Sequence, residues 1–127
     1  MRVLALDYGA ARCGVAVSDP TGTLASPLDP VLKPATKKGL QRLSALVREL
    51  EVERVVVGLP VSLSGADSAQ TRETRHFADR LAAVVSVPVE LYDERFTTSL
   101  AERAGGTASL DSRAAAVLLD EWLNVRR

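Results

Sequence analysis

The sequence predicts an α/β domain, a mixed five-stranded sheet with helices on both faces. Three observations carry that prediction. Residues 2–8 are apolar on both alternations, Val3 and Ala5 against Leu4 and Leu6, as in a central strand buried on both sides. After residue 36 the hydrophobic spacing changes from the alternation of a strand to the three-and-four spacing of a helix. From there helical stretches take turns with short apolar runs, the order that right-handed parallel crossovers require.

Taken in order, residues 13–18 set Cys13, Val15 and Val17 against the small Gly14, Ala16 and Ser18, and a third strand follows the turn Asp19-Pro20-Thr21-Gly22. The first three strands therefore read as an antiparallel meander. Residues 36–52 place Leu40, Leu43, Leu46, Val47 and Leu50 on one helical face, with Thr36 as the cap. Residues 54–59 carry Val55-Val56-Val57, a buried parallel strand closed by Gly58-Leu59-Pro60. A helix over about 68–85 turns Thr74, Phe77, Ala78, Leu81 and Val85 inward, and residues 87–92 form a further strand. Residues 97–104 are short and helical, Gly105-Gly106 breaks them, and 110–125 forms a last helix on Ala114, Val117, Leu118 and Trp122. Three strands, helix, strand, helix, strand, helix is the order of a ribonuclease-H-like fold. In such sheets ligands bind beyond the carboxyl ends of the parallel strands, where Asp7, Pro60 and Asp93-Glu94 fall.

A length of 127 residues fits one domain spanning 1–127. Hydrophobic residues at 46% and charged ones at 25% exclude disorder and a coiled coil. Sixteen basic and sixteen acidic side chains cancel to +0, so no global positive field marks a nucleic-acid binder and any polyanion site is local. The single cysteine, Cys13, excludes an intrachain disulfide and a thiolate metal cluster and suits a reducing cytosol. No apolar run reaches membrane-spanning length, and the expectation is a soluble, cytoplasmic protein without membrane partners.

One histidine, one cysteine and no Gly-x-x-x-x-Gly-Lys loop leave no parts for a zinc-finger, cysteine-nucleophile or P-loop site. What remains is acid: Asp7 leaves the first strand, Asp93 and Glu94 the last, and Asp111 opens the final helix. Carboxylates meeting at one sheet edge raise each other's pKa, so the cluster calls for a hard cation, Mg²⁺ or Mn²⁺. Divalent ions about 3.5 to 4 Å apart activate water on one side of a phosphodiester and stabilise the leaving oxygen on the other. Neighbours in an extended chain point opposite ways, so at most one of Asp93 and Glu94 faces the cation, and the pattern alone does not choose. Asp111 lies beside the stripe of Ala115, Leu118 and Trp122, whereas Asp120 shares a face with Arg113 and Asn124 and reads as solvated. Arg72, Arg75, His76 and Arg80 form a basic stripe, broken by Asp79, that could grip phosphates, with a solvated helix face as the default.

Leu4-Ala5-Leu6-Asp7-Tyr8-Gly9, residues 12–19, Val56-Val57-Gly58-Leu59-Pro60, Asp93-Glu94-Arg95-Phe96-Thr97-Thr98 and Asp111 with Ala114-Ala115 together resemble the YqgF (RuvX) family of bacterial pre-16S rRNA nucleases, also described as Holliday junction resolvases. The resemblance spans almost the whole chain. It implies a ribonuclease-H-like fold and a metal-dependent nuclease with Asp7, Glu94 and Asp111 as catalytic, metal-holding acids. It also implies Arg12, Arg95, Thr97 and Thr98 as supporting or substrate residues. Two departures stand out: residues 105–110 before the helix acid are neutral where the family often has bases, and the strand ending Gly58-Leu59-Pro60 carries no carboxylate.

The leading expectation is therefore a nuclease that trims the 5′ end of precursor 16S rRNA. Cleavage of four-way DNA junctions is the alternative, which by symmetry calls for two sites and a homodimer rather than a monomer. A non-catalytic rRNA-binding assembly factor is the third. Asp7-Tyr8-Gly9 with Gly14 also resembles the phosphate hairpin of actin-like kinases, but those close two domains over a nucleotide and this length holds one.

Overall fold

The structure, a computed structural model, describes residues 1–60, 68–93 and 110–126, and of residues 110 and 111 the backbone alone. Its elements are β1 (Val3–Asp7), β2 (Arg12–Ser18), β3 (Ala25–Leu32), α1 (Lys37–Glu49), β4 (Arg54–Leu59), α2 (Ala69–Ala82), β5 (Val89–Asp93) and α3 (Leu110–Val125). The expected short helix over 97–104 and the Gly105-Gly106 break lie outside the described residues.

The strands form one mixed sheet in the order β3-β2-β1-β4-β5. The meander pairs antiparallel, with Leu4 opposite Val17 and Asp7 opposite Gly14. β4 joins β1 in parallel, Leu6 beside Val57, and β5 joins β4 with Leu59 beside Asp93. β1 is the central strand, and Val3 to Leu6 have no exposed surface, as expected for a strand apolar on both alternations. β3 lies at the edge, which accommodates Pro27 and Pro30 where an interior strand would lose ladder bonds.

Strand alternation divides the core in two. Leu4, Leu6, Cys13, Val15, Val55 and Val57 pack under α1 and α2 with Leu43, Phe77 and Leu81. Val3, Ala5, Ala16 and Val56 pack under α3 with Ala115, Leu118, Leu119 and Trp122. The cap assigned to Thr36 is present: its Oγ1 accepts the Gly39 N–H at 3.1 Å. Ser68 caps α2 in the same way through the Thr71 N–H, also at 3.1 Å.

α1 stops at Glu49, short of the expected residue 52. Glu51 adopts the left-handed φ of 54°, while the Val52 N–H returns to the Val47 carbonyl and the Glu51 N–H to that of Arg48. That is a Schellman closure, with Val52 and Val47 completing it in the core. β5 begins at Val89, two residues later than expected, because Pro88 has no N–H to give the ladder, though its carbonyl still accepts from Val55.

Candidate active site at the carboxyl end of β1

Asp7 is the last residue of β1 and is half-buried. It continues the alternation of Val3 and Ala5, so it stands on the face that α3 covers. Its partner on β2 is Gly14, and one step beyond the Leu6 to Val57 pairing β4 has Gly58. Gly14 and Gly58 continue the alternation of Ala16 and Val56, so both strand neighbours of this carboxylate on the α3 face lack a side chain.

The loop after Asp7 depends on Gly9, where a Cβ would lie 2.7 Å from the Arg12 carbonyl oxygen. Tyr8 turns to the opposite face and stacks on Phe77 with ring centroids 4.5 Å apart. Its hydroxyl donates to Glu73 Oε1 at 3.0 Å, and burial together with the Glu73 carboxylate pushes its pKa up to about 12. The segment carrying Asp7 is thereby fastened to α2.

α3 is fastened at both ends. Near its start, fully buried Ser112 accepts the Val15 N–H on Oγ at 3.3 Å, where the β2–β3 register shifts between Cys13 and Val15. Val15 is the β2 partner of Leu6, so the first turn of α3, which includes the Asp111 backbone, is held beside the end of β1. Near its end, Trp122 donates its indole N–H to Glu90 Oε2 at 3.2 Å, and Arg126 covers the indole ring at 3.9 Å.

Those contacts also orient β5. Glu90 reaches Trp122 and Tyr92 donates to Glu121 at 3.3 Å, so both face α3. Asp93 follows the opposite alternation, with Val89, and is exposed on the other face from Asp7. Of the two acids the sequence left open, Asp93 is separated from Asp7 by the sheet.

Arg12, the first residue of β2, is exposed and shares the Asp7 face by the alternation that puts Cys13 and Val15 under α1 and α2. Arg72, in the first turn of α2 on the other layer, is exposed, and so are Arg75 and His76 one turn further along. Arg80 gives its guanidinium to the Ala35 carbonyl, a structural bond between α2 and the turn before α1. Glu94, Arg95, Thr97, Thr98, the Asp111 side chain and loop residues 62–67 lie outside the described residues. Among the described residues no three His, Cys, Asp or Glu side chains gather, and no helix is long and apolar enough to cross a membrane. Ser112 escaped the sequence reading, although a hydroxyl in register with Ala115, Leu119 and Trp122 was a visible signal of a buried polar contact.

The comparisons with known proteins agree with this architecture. A family model described as "RuvX: Holliday junction resolvase" matches residues 1–125. A protein of Anaeromyxobacter sp. (strain Fw109-5) named "Putative pre-16S rRNA nuclease" is 42% identical over 135 residues, covering 99% of this chain and 98% of its own length. One of the same name from Mycobacterium ulcerans (strain Agy99) is 41% identical over 136 residues, covering 99% and 80%. Among solved structures, T. thermophilus RuvC in complex with a Holliday junction substrate aligns with a TM-score of 0.61 at 19% identity, covering 99% of this chain and 95% of that one. That likeness shows the fold, the ribonuclease-H-like arrangement the element order predicts. With a family match across nearly its whole length and full-length relatives above 40% identity, the chain belongs to the RuvX family.

Proposed function

We propose that this chain is a cytoplasmic, divalent-metal-dependent nuclease that hydrolyses phosphodiester bonds, with the 5′ end of precursor 16S rRNA as its substrate. The observation that carries the reading is Asp7: a half-buried carboxylate closing an otherwise apolar central strand, flanked by glycines, beside the tethered first turn of α3. The names of the full-length relatives supply the substrate.

The donor chemistry fits Mg²⁺ or Mn²⁺, since carboxylate oxygens are the ligands hard cations take. Asp7, Glu94 and Asp111 would hold the metal. The opposite orientation of Asp93 supports Glu94 as the acid of the pair. When bound, the metal would supply an activated water and charge stabilisation at the leaving oxygen. Arg12 would take phosphate from the Asp7 side of the sheet and Arg72 from the α2 side, with Arg95, Thr97 and Thr98 completing the substrate contacts.

The test is cleavage of a precursor-rRNA leader and of a four-way DNA junction, side by side, in Mg²⁺, in Mn²⁺ and in excess chelator. The reading requires leader cleavage that depends on metal. Cleavage that persists in chelator overturns the metal site, and preference for the junction promotes resolution of DNA junctions by a homodimer, the reading the family's description favours. Tight RNA binding with no cleavage under any condition leaves a non-catalytic assembly factor.

A further inference from the structure

All three lysines of the chain, Lys33, Lys37 and Lys38, fall between positions 33 and 38, although the protein as a whole is electrically neutral. They occupy the turn between β3 and α1 and the first turn of that helix, and all three are exposed. No acid stands in that turn, where the helix macrodipole favours Asp or Glu and penalises lysine. The arrangement works against the isolated helix and suits an external polyanion.

Lys33, Lys38 and Arg42 rim a groove of about 660 Å³ between the edge strand β3 and α1, floored by Leu28, Pro30 and Leu46. Lys38 and Arg42 are one helical turn apart, about 6 Å along the axis, the scale of successive phosphates in an extended strand. Asp29 is the opposing charge in the groove, and Glu49 lies 3.8 Å from Arg42 in an exposed pair of little strength. The groove opens at the same end of the sheet as the candidate active site, on the opposite layer. The Lys33 N–H donates to the Ala11 carbonyl at 2.9 Å, and Leu32 pairs with Arg12 in the hairpin that follows Asp7.

We infer that this groove is a second contact surface for single-stranded nucleic acid, in which Lys33, Lys38 and Arg42 hold phosphates and the apolar floor receives unpaired bases or sugars. The strand would lead from Asp7 past Arg12 around the end of β2 and β3 onto α1. A duplex hides its bases and gains little from an apolar floor, so the occupant is a single strand. Lysines supply mobile point charges without base preference, which suits a surface that positions a strand rather than reads it. The inference rests on the proposal that the chain acts on nucleic acid, but not on cleavage.

Two measurements in excess chelator test it on the whole protein. In the first, binding of a labelled 20-nucleotide single-stranded RNA is followed by anisotropy against salt, for the parent and for the triple variant Lys33→Gln, Lys38→Gln, Arg42→Gln. Each lost phosphate contact lowers the slope of log affinity against log salt by about 0.7, so the variant should lose about two units of slope and bind at least tenfold more weakly at low salt. In the second, amine acetylation with and without the RNA should show Lys33 and Lys38 protected severalfold. The Met1 amine, which donates to the Pro20 carbonyl, should be unchanged. Unchanged slope, no protection, no binding by the parent, or equal competition by duplex RNA overturns the groove. A parent that binds through these lysines but cleaves nothing in the Mg²⁺ and Mn²⁺ assays above keeps the groove and overturns the nuclease; a triple variant that binds as the parent does, while the parent cleaves in those assays, does the reverse.

Discussion

Replacing Ser112 by alanine tests how the fold positions the first turn of α3. Its Oγ accepts the Val15 N–H at 3.3 Å within the sheet, and the residue has no exposed surface. Alanine fills nearly the same volume, so the principal loss is the acceptor, and a buried amide left without one costs about 1 to 3 kcal/mol. For a chain of this length each kcal/mol moves Tm by about 3 to 5 °C, which places the variant roughly 3 to 15 °C below the parent. The second effect is local. With its first turn released from β2, the start of α3 loses its tie to the strand that pairs with β1, and on the proposed function cleavage and Mn²⁺ affinity should both fall at temperatures where the variant is fully folded. Ser44→Ala is the control: that hydroxyl donates to the Val84 carbonyl and accepts from Arg48, tying α1 to the residues just past α2 on the other layer. It should lose comparable stability and keep its cleavage rate. An unchanged urea midpoint for Ser112→Ala would refute the structural role. Equal activity losses in the two serine variants would reduce the local effect to general destabilisation.

Other expectations follow from single contacts. Asp7→Asn should abolish metal-dependent cleavage with the fold intact, whereas Asp120→Asn, on the exposed face of α3, should change stability by no more than about 0.5 kcal/mol and leave the rate alone; a folded Asp7→Asn cleaving at the parent rate would remove that acid from the site. Glu51→Gly should raise stability by about 0.5 to 1 kcal/mol, read from the urea midpoint, because glycine takes the left-handed closure of α1 without a Cβ penalty. Asp19 accepts the Thr21 hydroxyl and the N–H groups of Leu24 and Thr23, which lower its pKa from 3.8 to about 2. Its folded pKa is depressed, so its stabilisation is full above about pH 4 and fades as pH falls towards 2. The Tm difference between the parent and Asp19→Ala should shrink over that range, and a constant difference would show that the turn carboxylate contributes nothing by its charge.

The fold was readable wherever side-chain pattern alone decides an element. β4 runs over the expected residues because three β-branched side chains are bounded by a charged Glu53-Arg54 and by Pro60. The errors arose where backbone conformation decides. Leu50 and Val52 continue the apolar pattern past the end of α1, and nothing in the identity of Glu51 announces its left-handed φ, as a glycine would have done.

The candidate site divides along the same line. Asp7 stands out in the sequence as a carboxylate closing an apolar run, and its place at the end of β1 follows from that run. The face that Asp93 takes required knowing which alternation of β5 meets α3, and that is set by distant residues: Trp122 and Arg126 on Glu90, and Glu121 on Tyr92. Lys37 and Lys38 fit the polar side of an amphipathic helix, and nothing in the sequence ties Lys33 to them. Only the bond from Lys33 to Ala11 puts those charges beside the hairpin that leaves Asp7. A neutral net charge therefore says little against a nucleic-acid surface here: the charge relevant to a passing strand is the local one, and within a Debye length of about 8 Å the lysines outweigh acids placed elsewhere on the molecule.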